Sequence, residues 1–191
     1  MKPVPVAYSP PAPLRMGDIA FARMEKVNAE LVAITYGAIV SQMVNEGSDI
    51  AVLTEKLDKL GYNMGIRMVD EFLAKQTSSS SMCSSFKESV DVLAKVAVKM
   101  YLGIDCELVD LGDNSFALNF PENPLNDFVQ LPHDMKQFNY SQIYCGIVRG
   151  AFEQLHMKVR CEYLRDTLRG DDCNSIRISL EGIIRPENDD E

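Results

Sequence analysis

The chain has 191 residues, with 19 Lys and Arg against 28 Asp and Glu, a formal net charge of −9 and 46% hydrophobic residues. That length fits one domain with a true core. The acidic balance excludes a clustered basic face for nucleic acid and a polybasic grip on anionic lipid.

Residues 1–22 hold Pro3, Pro5, Pro10, Pro11 and Pro13, and the proline cluster predicts a flexible arm. No apolar run of signal-peptide type stands in MKPVPVAYSPPAP, so the expectation is a cytosolic chain with reduced thiols. A first helix is predicted up to Gly47, with Met24, Val27, Leu31, Ile34, Ala38 and Ile39 at helical spacing as its apolar face. Its uncharged stretch from Leu31 to Asn45 is too short for a membrane span. A second helix is predicted to start near Ser48 as N-cap, with Leu53, Leu57, Leu60, Met64, Met68 and Phe72 down one stripe.

The polar loop QTSSSSMCSS, residues 76–85, carries Cys83. Ser85-Phe86-Lys87-Glu88 reads as a capping box opening the third helix, with Phe86, Val90, Leu93, Ala97 and Met100 as its buried stripe and Gly103 as its end. Glu107–Leu111 and Ser115–Phe120 then read as strands around Gly112-Asp113-Asn114. After a proline-punctuated stretch, a fourth helix is predicted from about Tyr140 to Leu155. Alternation at Met157, Val159, Cys161 and Tyr163, and again at Ile176, Ile178 and Leu180, predicts two half-buried strands. The sum is an α+β fold with four main helices on one face of a four-stranded antiparallel sheet. Residues 23–186 form the expected domain, and 187–191 an acidic tail.

Cys83 precedes the cap Ser85 by two residues, where free amide donors and the helix end favour a thiolate. Cys106, Cys145, Cys161 and Cys173 match no metal spacing, and Cys145 and Cys161 fall on core-facing elements. His133 and His156 stand at motif spacing with no cysteine or serine, which points to no catalytic triad and no metal site. Gly61-x-x-x-Gly65 and Gly146-x-x-x-Gly150 each weaken a helix by about 1 kcal/mol relative to alanine. Either something approaches those backbones for a functional reason, or two core helices pack closely there. Met64, Met68 and Met100 are core fillers or the lining of an adaptable pocket.

The stretches TYGAIV, LDKLGYNMGIRMVDEFLAK, VLAKVAVKMYLGI, NPLNDFVQLP and CGIVRGAFEQLHM, in this order, resemble the Bet-three family of TRAPP small subunits. The resemblance covers about residues 28 to 184 and is nearest to the palmitate-carrying namesake. It implies an α/β plait, and a scaffold subunit without catalytic activity of its own. It also implies pairing with other TRAPP small subunits, as a heterodimer or a homodimer. The assembled complex then acts in nucleotide exchange on a Rab-type GTPase, peripherally at cis-Golgi and endoplasmic reticulum membranes. For the site it implies a covalently bound palmitate on Cys83, in a tunnel lined by Phe86, Val90, Leu93, Ala97, Ile147 and Ala151. Relatives often carry a basic residue before this cysteine, whereas Met82 stands here. The alternative readings are a module that reversibly binds a free hydrophobic small molecule and a thiol-dependent enzyme using Cys83.

Overall fold

A computed structural model describes residues 16–75 and 85–185. The helices are α1 (Met16–Arg23), α2 (Ala29–Asn45), α3 (Ile50–Lys75), α4 (Phe86–Val92), α5 (Val98–Leu102) and α6 (Ile143–Gln154). Leu93–Ala97 is π-helical and joins α4 and α5 into one rod, which Gly103 ends at φ 72°. The strands β1 (Glu107–Gly112), β2 (Ser115–Phe120), β3 (Met157–Arg165) and β4 (Asn174–Ile183) form one sheet in the order β1-β2-β4-β3. All three pairings are antiparallel. Phe116, Leu118, Phe120, Val159, Ile176 and Ile178 turn into the core shared with the helices. The expected α+β architecture, helices on one face of an antiparallel sheet, is the one observed.

The N-terminal helical region is divided differently from the expectation. Met16–Arg23 is a helix of its own, beginning inside the arm drawn to residue 22. It lies on the α4–α5 rod so closely that a Cβ on Gly17 would stand 2.3 Å from the Lys95 carbonyl oxygen. The chain then breaks, because Asn28 caps α2: its Oδ1 accepts from the Leu31 amide at 2.9 Å.

α2 also turns a different face inward. Ala33, Tyr36 and Val40 are buried, while Val27, Leu31, Ile34 and Ile39 of the expected core stripe are exposed. Tyr36 decides the matter. Its hydroxyl donates to the Tyr140 carbonyl at 2.5 Å, and its ring meets that of Tyr140 edge to face at 5.0 Å.

In α3 the N-terminal cap is Asp49, whose Oδ1 accepts from the Val52 amide at 2.9 Å, rather than Ser48. The buried ridge runs Leu53, Leu57, Gly61, Gly65 and Val69. The expected stripe leaves this ridge after Leu57, and Met64 faces solvent.

The glycines explain the ridge. A Cβ on Gly61 would stand 2.1 Å from the Ile143 carbonyl oxygen, and one on Gly65 2.1 Å from that of Ile147. Reciprocally, a Cβ on Gly146 would meet the Asp58 oxygen at 2.1 Å, and one on Gly150 the Tyr62 oxygen at 2.3 Å. α3 and α6 therefore touch backbone to backbone, which is the close-packing reading of the two glycine pairs.

Gly37, on α2, gives the contrasting case, since a Cβ there would meet only the Tyr140 hydroxyl at 3.4 Å. Gly61→Ala should lower the unfolding free energy by about 1 to 3 kcal/mol through overpacking. Gly37→Ala should be neutral or stabilise by up to about 1 kcal/mol through helix propensity. Urea denaturation of the two variants measures both signs.

Candidate functional site

Where α3 and α6 part, the helical layer encloses an apolar cavity of about 190 Å³. Four elements wall it. α3 contributes Met68, Val69, Phe72 and Leu73, and the α4–α5 rod contributes Ser89, Leu93, Ala97 and Tyr101. Ile147, Ala151 and Phe152 come from α6, and the floor is sheet, with Leu118, Phe120 and Ile176. The π-helical turn Leu93–Ala97 sits in this wall and supplies two of its residues. Such a turn places one extra residue in the helix and shifts the face that follows it, which is how Val98 and Leu102 also reach the cavity.

The few hydroxyls on the wall are committed elsewhere. Ser89 donates from Oγ to the Ser85 carbonyl at 3.1 Å, Tyr101 to the Met68 carbonyl at 3.0 Å, and Tyr144 to Asn123 Oδ1 at 3.0 Å. Burial, with a contribution from Glu71, pushes the Tyr101 phenol up to about 12. A guest in this space finds dispersion contacts and no unsatisfied polar group, so the chemistry that fits is a hydrocarbon chain.

Of the residues expected along a tunnel, Leu93, Ala97, Ile147 and Ala151 line this cavity. Phe86 and Val90 do not. They belong to the solid core, with the Phe86 ring 5.7 Å from Phe116 and 5.9 Å from Phe152. The reason is helical geometry: the first turn of α4 faces the sheet, and the rod reaches the open space only as it passes Ser89 and enters the π turn. Phe72 and Tyr101 were not on the expected lining, and Met68 stood there only as the alternative to core filling. The signal for two of them was present, because Met68 and Phe72 stood on the α3 stripe whose later members drift off the core ridge.

Cys83 and Met82 lie outside the described residues. What is described is the start of the rod, where Ser85 Oγ accepts from the Glu88 amide at 3.3 Å as the capping-box reading expects. The stretch 76–84 connects α3, whose Phe72 and Leu73 line the cavity, to the rod, whose first lining residue is Ser89.

Three other cysteines are partly or wholly withdrawn from solvent, with Cys106 and Cys161 half-buried. Cys145 is fully buried, and burial raises its thiol well above the usual range. Burial likewise pushes Cys161 and Cys106 up to about 12. His133 stands in a short 3-10 turn and His156 in the left-handed turn after α6, at φ 58°. Among the described residues no group of three or more His, Cys, Asp or Glu is placed to hold a metal ion. No helix among them is long and apolar enough to cross a membrane.

Comparison with known proteins agrees with this arrangement. Residues 32–179 match the family described as Transport protein particle (TRAPP) component. The chain is 42% identical over 173 residues to the trafficking protein particle complex subunit 3 of Dictyostelium discoideum, covering 89% of this chain and 92% of that one. It is 41% identical over 176 residues to the transport protein particle subunit bet3 of Schizosaccharomyces pombe, covering 91% and 94%. Among solved structures it is similar to a trafficking protein particle complex subunit 3 from Naegleria fowleri covalently bound to palmitic acid. That match has a TM-score of 0.80 and 44% identity, and covers 85% of this chain and 100% of the other. With the family match spanning most of the fold and the relatives aligned nearly end to end, the chain belongs to the TRAPP component family.

Proposed function

We propose that this chain is a non-catalytic scaffold subunit of a TRAPP vesicle tether that holds a palmitoyl chain, thioester-linked at Cys83, in the cavity between α3, the α4–α5 rod and α6. The observation that carries the reading is that cavity, apolar on every wall and with each wall hydroxyl already bonded within the protein. The similar Naegleria protein, with its covalent palmitic acid, supports the same ligand. Leu93, Ala97, Ile147 and Ala151 would hold the chain by contact. Bound there, an acyl group supplies hydrophobic burial worth about 0.8 kcal/mol per methylene.

The second part of the reading is pairing with another small subunit of the same fold. Leu31 and Ile34 are each 59% exposed on α2, and no charged residue occurs from Leu31 to Asn45. An uncharged apolar helix face of this kind marks a protein interface. The family resemblance extends the proposal to the assembled complex. There the subunit contributes to a surface for nucleotide exchange on a Rab-type GTPase, in endoplasmic reticulum to Golgi transport, with peripheral attachment at those membranes.

Intact-mass spectrometry of the chain purified from its own cells should show about 240 Da above the sequence mass, removed by hydroxylamine and absent in Cys83→Ser. An unmodified mass in every preparation removes the lipid from the proposal. A ligand lost to solvent extraction with the thiol left free would instead favour reversible binding of a free hydrophobic molecule.

Ala97→Phe should fill the cavity and abolish the added mass while the chain still pairs. Ile34→Asp should weaken pairing at least tenfold, read by sedimentation equilibrium, because an unpaired buried charge costs several kcal/mol.

Buried thiols stay protonated when their ionisation is pushed up, and the thiolate is the reactive form. Iodoacetamide at neutral pH should therefore leave Cys106, Cys145 and Cys161 unmodified in the folded chain and label them after denaturation. Peptide mapping reads the result.

A further inference from the structure

α1 lies on the outside of the rod whose inside walls the cavity. It packs against the π-helical turn and α5, the stretch that carries Val96 and Met100. Those two side chains are 7% and 6% exposed, yet neither belongs to the core shared with the sheet. The seat is closely fitted. A Cβ on Gly17 would stand 2.3 Å from the Lys95 carbonyl oxygen and 3.0 Å from Lys99 Cβ, so a side chain there would drive the two helices apart. One turn on, the Phe21 ring lies against Gly103, 3.0 Å from where a Cβ would stand. Between these contacts Lys99, with its side chain only 19% exposed, holds its ammonium 4.0 Å from the Asp18 carboxylate and 3.3 Å from that of Asp105. α1 precedes residues 32–179, the stretch that matches the family.

The seat also straddles the irregular turn. Lys95 lies inside it, and Lys99 and Gly103 lie beyond it. Across the turn the Val98 amide donates to the Leu93 carbonyl five residues back, one residue further than in an α-helix. With α-helical winding there, every later residue would sit about 100° further round the axis. Lys99 and Gly103 would leave the line of Lys95, and Gly17, Asp18 and Phe21 could not reach all three. The cavity needs the same winding, because its wall takes Leu93 and Ala97 from the turn and Val98 and Leu102 from beyond it. One element with two possible windings thus has α1 on its outer face and the acyl site on its inner face.

Two contacts that favour the same state of one element stabilise each other reciprocally. An acyl chain restores the dispersion contacts that the cavity wall lacks, and so favours the winding in which the wall stands open. α1 favours that winding through contacts made only in it. We propose that α1 is a clasp coupled to the lipid site. It is closed on the rod while an acyl chain occupies the cavity, and released, with Val96 and Met100 uncovered, when the chain leaves. The clasp rests on the acyl reading above and adds to it a surface that changes with occupancy.

Hydrogen–deuterium exchange of the full chain, read by mass spectrometry on the peptide spanning residues 16–23, tests it. The acylated chain from its own cells is compared with Cys83→Ser, which forms no thioester, and with the parent after hydroxylamine. Gly17→Leu, which cannot seat, supplies the exchange of a released clasp. Amides of residues 16–23 should exchange at least tenfold faster in both deacylated forms, reaching the Gly17→Leu rates, while those of β4 keep theirs. Equal exchange of residues 16–23 with and without the added mass overturns the clasp and leaves the lipid reading intact. So does an acylated chain that already exchanges as fast as Gly17→Leu. An equal acceleration in β4 is a general loosening and overturns the clasp as well. A chain that never carries the added mass removes both readings.

Discussion

The contact on which the rest of the structure depends is the reciprocal approach of α3 and α6 at four glycines. Gly61 and Gly65 lie under the carbonyls of Ile143 and Ile147, and Gly146 and Gly150 under those of Asp58 and Tyr62. No other residue type allows two helices to meet at that distance. The Asp58–Arg149 ion pair, with the Arg149 guanidinium 4.9 Å from the Tyr62 ring, closes the solvent side of the same seam. α6 also lies on β3 and carries the sheet. Locking α3 to α6 therefore places α3 relative to every strand, and the α4–α5 rod must fit beside a pair already fixed.

The cavity follows from this. Past Gly65 the α3 ridge changes from glycine to Val69, with Met68 and Phe72 beside it on the cavity wall, and α6 presents Ile147 and Ala151 on the side toward the rod. Side chains now hold apart what backbones held together. The rod answers with its π-helical turn, where the small residue Ala97 and the shifted Val98 widen the wall instead of filling it. A void this apolar forfeits the dispersion contacts its lining would otherwise make. Filling it with hydrocarbon returns them. The same geometry that makes the helical layer loose here makes it receptive to an acyl chain.

The four strands were legible in the sequence, because period-two alternation at Phe116, Leu118 and Phe120 and at Ile176 and Ile178 has a single meaning once the turns are recognised, whereas the strand order β1-β2-β4-β3 was not read from it. The helix faces were less legible. Hydrophobicity alone ranked Leu31 and Ile34 above Tyr36, but burial went to the tyrosine, whose ring and hydroxyl both find partners in Tyr140. A stripe of apolar residues thus marked a surface rather than the core, a distinction that depends on what lies opposite. Along α3 the continuation of the ridge by Gly61 and Gly65 escapes any search for large apolar side chains. The π turn leaves no compositional trace, and of the expected lining Leu93 and Ala97 stand on the cavity wall while Phe86 and Val90 stand in the solid core.

Phe128 shows the opposite relation between sequence and structure. Nothing in NPLNDFVQLP distinguishes its phenylalanine from a core residue, and only the sign of φ, with the exposure of the ring, sets it apart. The hydrogen-bond network at the base of its turn is buried, polar and nearly all neutral. Such a cluster is costly to leave incomplete and stiff once satisfied. The stiffness is spread across chain segments far apart in sequence, Asn123 and Asn126 before α6, Ser141 and Tyr144 about its start, Thr167 after β3 and Asn174 at the head of β4. The turn can therefore be no more mobile than the fold itself. Tyr144 belongs to both sides of this arrangement: its ring lines the cavity, and its hydroxyl holds Asn123. Filling the cavity would restrain that ring, and through Asn123 and Asn126 the restraint reaches the base of the turn, so the cavity and the exposed aromatic share one rigid body.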